Sequence, residues 1–257
     1  MIVQQVVPLN VQMASWTDAG ARTYNEDDLR AGPLAGKHFA VLSDGAGGHR
    51  DGAVASDIVV RLVELALQSP GEFASEVLHG AIHDAHRALL DQQQGRPDRE
   101  RMHATVVALW IDAQQGAALW SHVGDSRLYM LRRGRVHHVT KDDSVVQHMI
   151  DAGILTPDAA RTHPRKHHLV CAMGVESDFS AHTLERSYPL QDGDAFLLCS
   201  DGWWEPLSGD EVEECLRQAS DPGDWLERMS CLVQGAALKD QDNYSAIAVW
   251  FGDMPTR

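Results

Sequence analysis

The chain has 257 residues, of which 44% are hydrophobic, so it is long enough to bury one sizeable core. Its formal net charge of −15 repels nucleic acid and anionic membrane surfaces. No stretch approaches the roughly 20 apolar residues of a membrane-spanning helix, and residues 1–16 lack the basic and continuous apolar segments of a signal peptide. We therefore expect one domain over residues 1–257, monomeric and cytoplasmic, that neither binds nucleic acid nor inserts into a membrane.

The first half of the chain alternates between strand and helix patterns. Apolar alternation with a period of two predicts strands, and apolar residues three or four apart predict helices. The predicted elements are strands at 11–17 and 38–43, helices at 52–68 and about 71–93, and two successive hairpins over 104–124 and 126–140.

The second half opens on a polar, helical region at 142–168, where Thr156 is an N-cap before Pro157. Because strands cluster and helices come in consecutive pairs, the order favours antiparallel sheets covered by helices over regular βαβ alternation. The remaining predicted elements are strands at about 180–188 and 194–200, a helix opened by the capping box of Ser208 and Glu211, a helix at about 223–238, and a strand at 244–251.

Aspartates stand at the ends of several predicted strands. The strings "FAVLSDGAGGH" and "FLLCSDGWW" share an apolar run followed by Ser-Asp-Gly, and they place Asp44 and Asp201 at strand ends. Asp125 also follows a strand, whereas Asp242 stands just before the last one. Carboxylates that converge on one rim would favour a hard divalent cation such as Mg²⁺ or Mn²⁺. Asp-Gly is also a common turn dipeptide, so spacing alone leaves a turn and a metal site both open.

Six short motifs occur in the order "TDAGARTYNEDDL", "SDGAGGH", "ATVVALW", "VGDSRLY", "SDGWWE" and "QDNYSAI". This set resembles the metal-dependent Ser/Thr protein phosphatases of the type 2C (PPM) class in their bacterial form, over about residues 12–251. The resemblance implies an α+β fold, a four-layer αββα sandwich of two antiparallel β-sheets flanked by helix pairs. It also implies hydrolysis of phosphoserine or phosphothreonine in proteins by direct attack of a metal-bridging water, which would oppose a cognate Ser/Thr kinase in bacterial signalling.

The resemblance also assigns metal ligands. Asp44 matches the carboxylate that bridges two metals, and Gly45 matches a ligand that offers its carbonyl oxygen. Asp201 and Asp242 match the remaining ligands of the second ion, and Asp125 matches a ligand of a weaker third ion that shares Asp201. The implied cofactors are therefore Mn²⁺ or Mg²⁺, with two ions in the core site and a weaker third.

Three further residues match groups that handle the phosphate and the proton. Arg22 matches the guanidinium that holds the substrate phosphate, for which its planar fork is suited. Glu26 and Asp27 match carboxylates that orient metal-bound waters and help accept the proton of the nucleophile. Such a site suits phosphoryl transfer, which needs charge neutralisation and alignment more than covalent help.

Residues 142–168 resemble the mobile flap of the bacterial members, here a flap subdomain within the single domain. Its basic end contains Arg161, Arg165 and Lys166. These side chains could meet the phosphorylated protein substrate, and a solvated basic loop is the alternative interpretation.

The sequence departs from the family pattern in two places. Ala46 lies where eukaryotic members have a histidine proposed as general acid, so protonation of the leaving group must come from elsewhere. Cys171 replaces a residue that is usually arginine in bacterial members, which puts in doubt how the C-terminal edge of the flap is anchored. These departures motivate a rival hypothesis, a regulatory module that binds metal and phosphoproteins without turnover, although every metal-ligand position is filled.

A histidine stripe lies on the second predicted helix. His79, His83 and His86 share one helical face and could suggest a transition-metal site. At about 100° per residue the stripe lies opposite the apolar face that contains Ile82 and Leu89. We therefore predict that the three histidines face solvent.

Overall fold

Two antiparallel sheets stacked face to face form the centre of the structure. The computed structural model describes residues 10–34, 36–47, 51–68, 71–97, 101–176, 179–236 and 240–252. Gly48 and His49, the last residues of the motif "SDGAGGH", lie outside the described residues. Within the described ranges the strands are β1 Val11–Asp18, β2 Asp27–Leu34, β3 Lys37–Ala46, β4 His103–Ala104, β5 Val106–Asp112, β6 Ala117–Val123, β7 Arg127–Arg132, β8 Arg135–Val139, β9 His182–Thr183, β10 Tyr188–Pro189, β11 Asp194–Cys199 and β12 Tyr244–Phe251.

The strand order places the apolar strands at the centre of each sheet. The first sheet has the order β1-β12-β11-β7-β8, and the second has the order β10-β6-β5-β3-β2. β4 pairs with the end of β3, and β9 pairs with β6. The helices are α1 Asp51–Gln68, α2 Ser75–Gln92, α3 Val145–Asp151, α4 Pro157–Ala160, α5 Asp201–Trp204, α6 Gly209–Gln218 and α7 Pro222–Gly235.

Three apolar layers hold the sheets and helices together. Leu42, Phe196 and Ile247 belong to the layer between the two sheets. α1 and α2 pack on the outer face of the second sheet, and α6 and α7 pack on the outer face of the first. The structure is therefore the four-layer αββα sandwich that the resemblance implied.

β3 shows why its sequence is a continuous apolar run. Ala40 and Leu42 face the other sheet, whereas Phe39 and Val41 face α1 and α2. A strand covered on both faces needs apolar residues at every position, because neither face meets water. The carboxylate of Asp44 is thus carried by a strand that is packed on both sides.

The structure departs from the sequence-based elements at short or edge segments. β2 was not predicted, because "DDLRAGPL" contains polar residues and a proline that suit an edge strand. The strand expected at about 180–188 consists of the two-residue strands β9 and β10. α5 begins directly at Asp201, where the sequence suggested a turn.

The histidine prediction is wrong for His86, which is buried. Its ring stacks on Phe179 with the ring centroids 3.6 Å apart, and its Nδ1 accepts a hydrogen bond of 3.1 Å from the backbone amide of Gly174. The chain that leads into β9 covers this end of α2, and helical projection alone does not reveal such a neighbour. Burial lowers the pKa of His86 to about 4.

The flap carries α3 and α4, and backbone hydrogen bonds join its two ends to each other. The amide of Val145 donates to His168 O at 2.8 Å, and the amide of Val170 donates to Asp143 O at 2.7 Å. Asp143 in turn accepts a hydrogen bond of 2.9 Å from the amide of Gly124. The C-terminal edge of the flap, next to Cys171, is therefore anchored through the main chain. In the part of the chain that the structure describes, no helix is long and apolar enough to cross a bilayer.

A buried ion pair joins two central strands of the first sheet. Nε and Nη2 of Arg132 in β7 donate to the two carboxylate oxygens of Asp194 in β11 at 2.9 and 2.8 Å. The Asp194 side chain is 1% exposed. Such a carboxylate depends on its partner, because an unpaired buried charge is strongly destabilising.

We predict that Arg132→Met lowers the free energy of unfolding by about 3 kcal/mol, since it leaves Asp194 buried without its cation. Urea denaturation measures this change. Lys141→Met is the matched control, because the pair of Lys141 with Asp151 is exposed (62% and 38%) and is expected to contribute little to stability. Equal losses in the two variants would contradict the prediction.

Candidate active site

Five aspartates from both sheets meet at one end of the sandwich. Asp44 lies near the end of β3, and Asp27 at the start of β2 is its direct cross-strand partner. Asp125 follows β6, Asp201 is the first residue of α5 directly after β11, and Asp242 precedes β12. The structure therefore brings together the four strand-end aspartates of the sequence analysis and adds Asp27 opposite Asp44.

The carboxylates are close enough to perturb one another. Burial raises the pKa of Asp44 well above its usual range, and repulsion from Asp27 and Asp201 adds to the effect. Burial, reinforced by Asp201 and Asp242, raises the pKa of Asp27 to about 7. Burial also raises the pKa of Asp125 well above its usual range, with Asp201 contributing. This rim thus concentrates negative charge that the protein alone does not neutralise.

The end of β3 is fixed by hydrogen bonds to the start of β5. The amide of Asp44 donates to Thr105 Oγ1 at 3.0 Å, and the amide of Thr105 donates to Asp44 O at 2.8 Å. Ser43 Oγ donates to Thr105 O at 2.7 Å. Thr105 Oγ1 also lies 2.7 Å from Ser126 Oγ, so one threonine connects the backbone of Asp44 to the loop that carries Asp125.

Two glycines allow the chain to pass beside Glu26. A Cβ on Gly45 would collide with the carbonyl oxygen of Gly52, and a Cβ on Gly52 would lie 2.6 Å from Glu26 Oε1. The amide of Gly45 donates to Glu26 O at 3.1 Å. The Glu26 carboxylate and the Gly45 carbonyl therefore lie side by side near the first turn of α1. Burial raises the pKa of Glu26, and the Gly52 backbone partly opposes this shift.

Asn243 connects the N-terminal loop to the segment before β12. Its Oδ1 accepts a hydrogen bond of 2.8 Å from the amide of Glu26, and its Nδ2 donates to Ala19 O and Tyr24 O at 2.9 Å. Asp242 Oδ1 accepts from the amide of Asn243 at 2.8 Å. Through this one side chain, the loop that carries Arg22 and Glu26 is held against Asp242.

A serine hydroxyl reaches one oxygen of Asp27. Ser200 Oγ donates to Asp27 Oδ2 at 2.8 Å and accepts from the amide of Ser245 at 3.0 Å. Asp27 Oδ1 is buried and has no hydrogen-bond partner among the described residues, and the same holds for Glu26 Oε1. Both carboxylates therefore keep one oxygen for a further partner.

The sequence analysis did not single out Thr105 and Asn243. Both are short polar residues at a strand end, and each stands inside one of the quoted motifs, "ATVVALW" and "QDNYSAI". Side chains of this type bond to backbone groups and so complete turns and strand ends. Asn243 directly follows the candidate Asp242 inside an ordered motif, which is the signal that could have found it. Thr105 has no candidate aspartate beside it in the sequence and reaches Asp44 only in the fold.

The backbone of Asp125 is held by a stack of side chains. Trp204 Nε1 in α5 donates to Asp125 O at 2.9 Å. The guanidinium of Arg127 lies 3.4 Å from the centroid of the Trp204 ring and donates to both oxygens of Asp142 at 2.8 Å. The loop of Asp125 is thus tied both to α5 and to the first residue of the flap.

A polar cavity of about 360 Å³ opens beside Asp201 and Asp242. Arg22 Nη2 donates to Asp242 Oδ2 at 2.8 Å, and His167 Nδ1 lies 3.3 Å from Asp201 Oδ2. Lys166 Nζ contacts both carboxylate oxygens of Glu205, at 2.7 and 2.9 Å. The cavity therefore presents cations next to carboxylates. Its lining residues are Arg22, Lys166, His167, Asp201, Gly202, Glu205, Pro206, Asp240, Gln241 and Asp242.

The three basic residues of the flap have different surroundings. Lys166 lines the polar cavity. Arg161 donates to Glu205 O at 3.2 Å. Lys166 and Arg161 therefore both hold the flap against Glu205, the residue that directly follows α5. Arg165 is exposed and lines neither this cavity nor the larger one beside it.

Ala46, at the end of β3, pairs with His103 of β4.

The donor set fits a hard divalent cation, although the side chains are not yet closed around one point. Within the described residues, no three His, Cys, Asp or Glu side chains are arranged so that they could hold a metal ion as they lie. Asp201 and Asp242 are instead turned toward His167 and Arg22. The oxygen-only donors, the raised pKa values and the unpaired oxygens of Glu26 and Asp27 all fit Mn²⁺ or Mg²⁺. Arg22 beside them suits an anionic group.

Comparison with known proteins identifies close sequence relatives. The Serine/threonine protein phosphatase PstP of Mycobacterium tuberculosis is 34% identical over 216 residues, which are 82% of this chain and 40% of PstP. The chain thus spans less than half the length of that relative. The Serine/threonine phosphatase stp of Listeria monocytogenes is 34% identical over 210 residues, which are 78% of this chain and 81% of that protein.

A solved structure and a family model agree with these relatives. The crystal structure of the PstP catalytic domain in complex with two manganese ions matches with a TM-score of 0.79 and 30% identity, over 95% of this chain and 99% of that one. The family model described as Protein phosphatase 2C matches residues 19–233, a range that includes the rim aspartates other than Asp242. The chain therefore belongs to the protein phosphatase 2C family.

Proposed function

We propose that this chain is a metal-dependent protein phosphatase that hydrolyses phosphoserine or phosphothreonine in proteins and so opposes a Ser/Thr kinase. The observation that carries the proposal is the meeting of five aspartates at one rim beside the guanidinium of Arg22. Its relatives PstP and stp are named serine/threonine phosphatases, which supports the same reaction class. The cytoplasmic location, the monomeric state and the single-domain organisation with its flap subdomain stay predictions.

The proposed metal ligands are the carboxylates of Asp44, Asp201 and Asp242 with the carbonyl oxygen of Gly45. Two ions held there would supply the positive charge that activates a water and neutralises the phosphate oxygens. The two manganese ions of the PstP catalytic domain support this stoichiometry. Asp125, beside Asp201, is proposed as a ligand of a weaker third ion.

The remaining residues of the site position the substrate and the proton. Arg22, whose side chain is 58% exposed, can turn from Asp242 to hold two oxygens of a phosphate. Ser200 fixes one oxygen of Asp27, which leaves Oδ1 to accept a proton at the rim. Glu26 is aimed by the Asn243 bond to its amide, and its unpaired Oε1 can orient a water. Lys166 and Arg161 are proposed to keep the flap closed over the polar cavity.

We predict that Asp44→Asn and Asp201→Asn each reduce hydrolysis of a phosphothreonine peptide in saturating Mn²⁺ by at least about a hundredfold, because each removes a charged oxygen ligand. Phosphate release measures the rate. Asp57→Asn, on the exposed face of α1, is the control and is expected to be as active as the wild type. Unaltered activity in Asp44→Asn would sink the mechanism, and tight peptide binding without phosphate release in the wild type would favour the regulatory-module hypothesis.

We predict that Arg22→Ala lowers kcat/KM for the peptide about a hundredfold, since the phosphate loses its bidentate partner. Arg22→Lys should restore less than a tenth of the loss, because a point charge cannot replace the fork. The exposed pair with Asp242 contributes less than about 1 kcal/mol to stability, so urea denaturation should be unchanged. A large drop in stability with an unchanged kcat/KM would argue for a structural role instead.

We predict that Gly52→Ala weakens Mn²⁺ binding about tenfold, because the added methyl displaces the Glu26 carboxylate and the Gly45 carbonyl. Isothermal titration calorimetry measures the affinity. Gly80→Ala in α2 is the matched control, since a Cβ there meets nothing within 4 Å, and it should stabilise the helix by about 0.5 to 1 kcal/mol. Equal Mn²⁺ affinity in both variants would show that the close approach at Gly52 does not shape the site.

A further inference from the structure

A second cavity, the apolar groove, lies between the flap and α5 and has a volume of about 570 Å³. From the flap, Val146, Ile150 and Ala160 line it, and from the opposite side Trp204, Pro206 and Leu207 do so. Of these, Val146, Ala160 and Leu207 are buried. A space of this size lies in the range of ligand pockets and can admit a leucine-sized side chain.

The apolar groove is continuous with the polar cavity. Lys166, His167, Glu205 and Pro206 line both. If the phosphate of a substrate lies beside Arg22, the parts of the substrate next to the phosphate would therefore contact the apolar groove. A polypeptide chain rises about 3.3 Å per residue when extended, so residues within about three positions of the phosphorylated one can reach the groove.

Four of the charged residues that line the groove form two ion pairs with each other. Lys166 is paired with Glu205, and Arg127 is paired with Asp142 through two hydrogen bonds of 2.8 Å. Paired charges of this kind offer little attraction to a charged ligand, because their fields largely cancel. Asp125 and Asp158 also line the groove. The part of it that favours an apolar side chain is the set of aliphatic side chains Val146, Ile150, Ala160 and Leu207.

We propose that the apolar groove receives an aliphatic side chain of the phosphorylated protein, within three residues of the phosphoserine or phosphothreonine. This proposal rests on the proposed phosphatase function and adds its substrate class, a phosphorylated segment with a leucine-like residue near the phosphate. Ile150 becomes a specificity-determining residue that contacts substrate only when such a side chain is present.

The test compares phosphothreonine peptides that carry alanine at all neighbouring positions with peptides that carry one leucine at each position from three before to three after. We expect at least one leucine position to raise kcat/KM about tenfold, as a buried aliphatic side chain commonly does. An aryl phosphate such as p-nitrophenyl phosphate has no side chain for the groove and serves as the reference substrate. A preference below about twofold at every position would overturn the proposal.

Ile150→Glu should abolish the leucine preference and leave aryl phosphate hydrolysis unchanged, because a charge in the groove excludes the aliphatic side chain. Ile150→Ala should reduce the preference to about threefold, which keeps the test valid if the glutamate variant does not fold. Ile154→Glu is the matched control, since Ile154 belongs to the same flap, is 69% exposed and does not line the groove. An unchanged preference in both Ile150 variants, or an equal loss in Ile154→Glu, would overturn the proposal.

Failure of the proposed function gives a different result. If neither the peptides nor the aryl phosphate are hydrolysed in Mn²⁺, the proposed phosphatase function is wrong. Peptide binding then tests separately whether the groove receives an aliphatic side chain. Fluorescence anisotropy with labelled peptides should show about tenfold tighter binding of the best leucine peptide than of the alanine peptide. Equal binding of the two peptides would overturn the proposal.

Discussion

Repulsion among the carboxylates at one rim is the constraint on which the rest of the structure depends. The pKa of Asp44 is raised by its own burial and by four neighbouring aspartates. Carboxylates that repel one another in this way would move apart if the strands that carry them were flexible. The supports are stiff, because β3 is packed on both faces and β11 and β12 are central strands of the first sheet. The fold thus holds like charges together, which prepares a strong site for hard cations.

Backbone clamps complete what the strands begin. Thr105 connects the end of β3 to the loop of Asp125, and Asn243 connects the loop of Glu26 to Asp242. Each clamp is a short side chain with at least one bond to a main-chain group, so little side-chain entropy is lost. The flap is attached differently. Lys166 and Glu205 are partly exposed (31% and 23%), so this contact is weaker than core packing and can yield to a substrate.

The sequence predicted the parts whose signals are local and strong. Continuous apolar runs revealed β3, β11 and β12, helical periodicity revealed α1 and α2, and the order of six motifs pointed to the αββα sandwich. The edge strand β2 was not predicted, because a strand with one solvated side and a proline has no continuous apolar run. The burial of His86 and the pairing of Lys166 with Glu205 depend on residues distant in sequence, and no periodicity reports such contacts. The site residues could be assigned only through the resemblance to a known family, because Asp-Gly alone is equally typical of a turn.

The position of β12 has a consequence for how the protein is made. This strand, Tyr244–Phe251, lies between β1 and β11, so it joins the beginning of the described chain to its later part. Until a ribosome has released residue 251, β1 has no neighbour in its sheet and the inner edge of β11 is unpaired. The first sheet therefore closes only after synthesis of this segment, whereas β3, β5 and β6 can associate with α1 and α2 earlier. During translation the nascent chain carries an exposed apolar edge that a chaperone could shield.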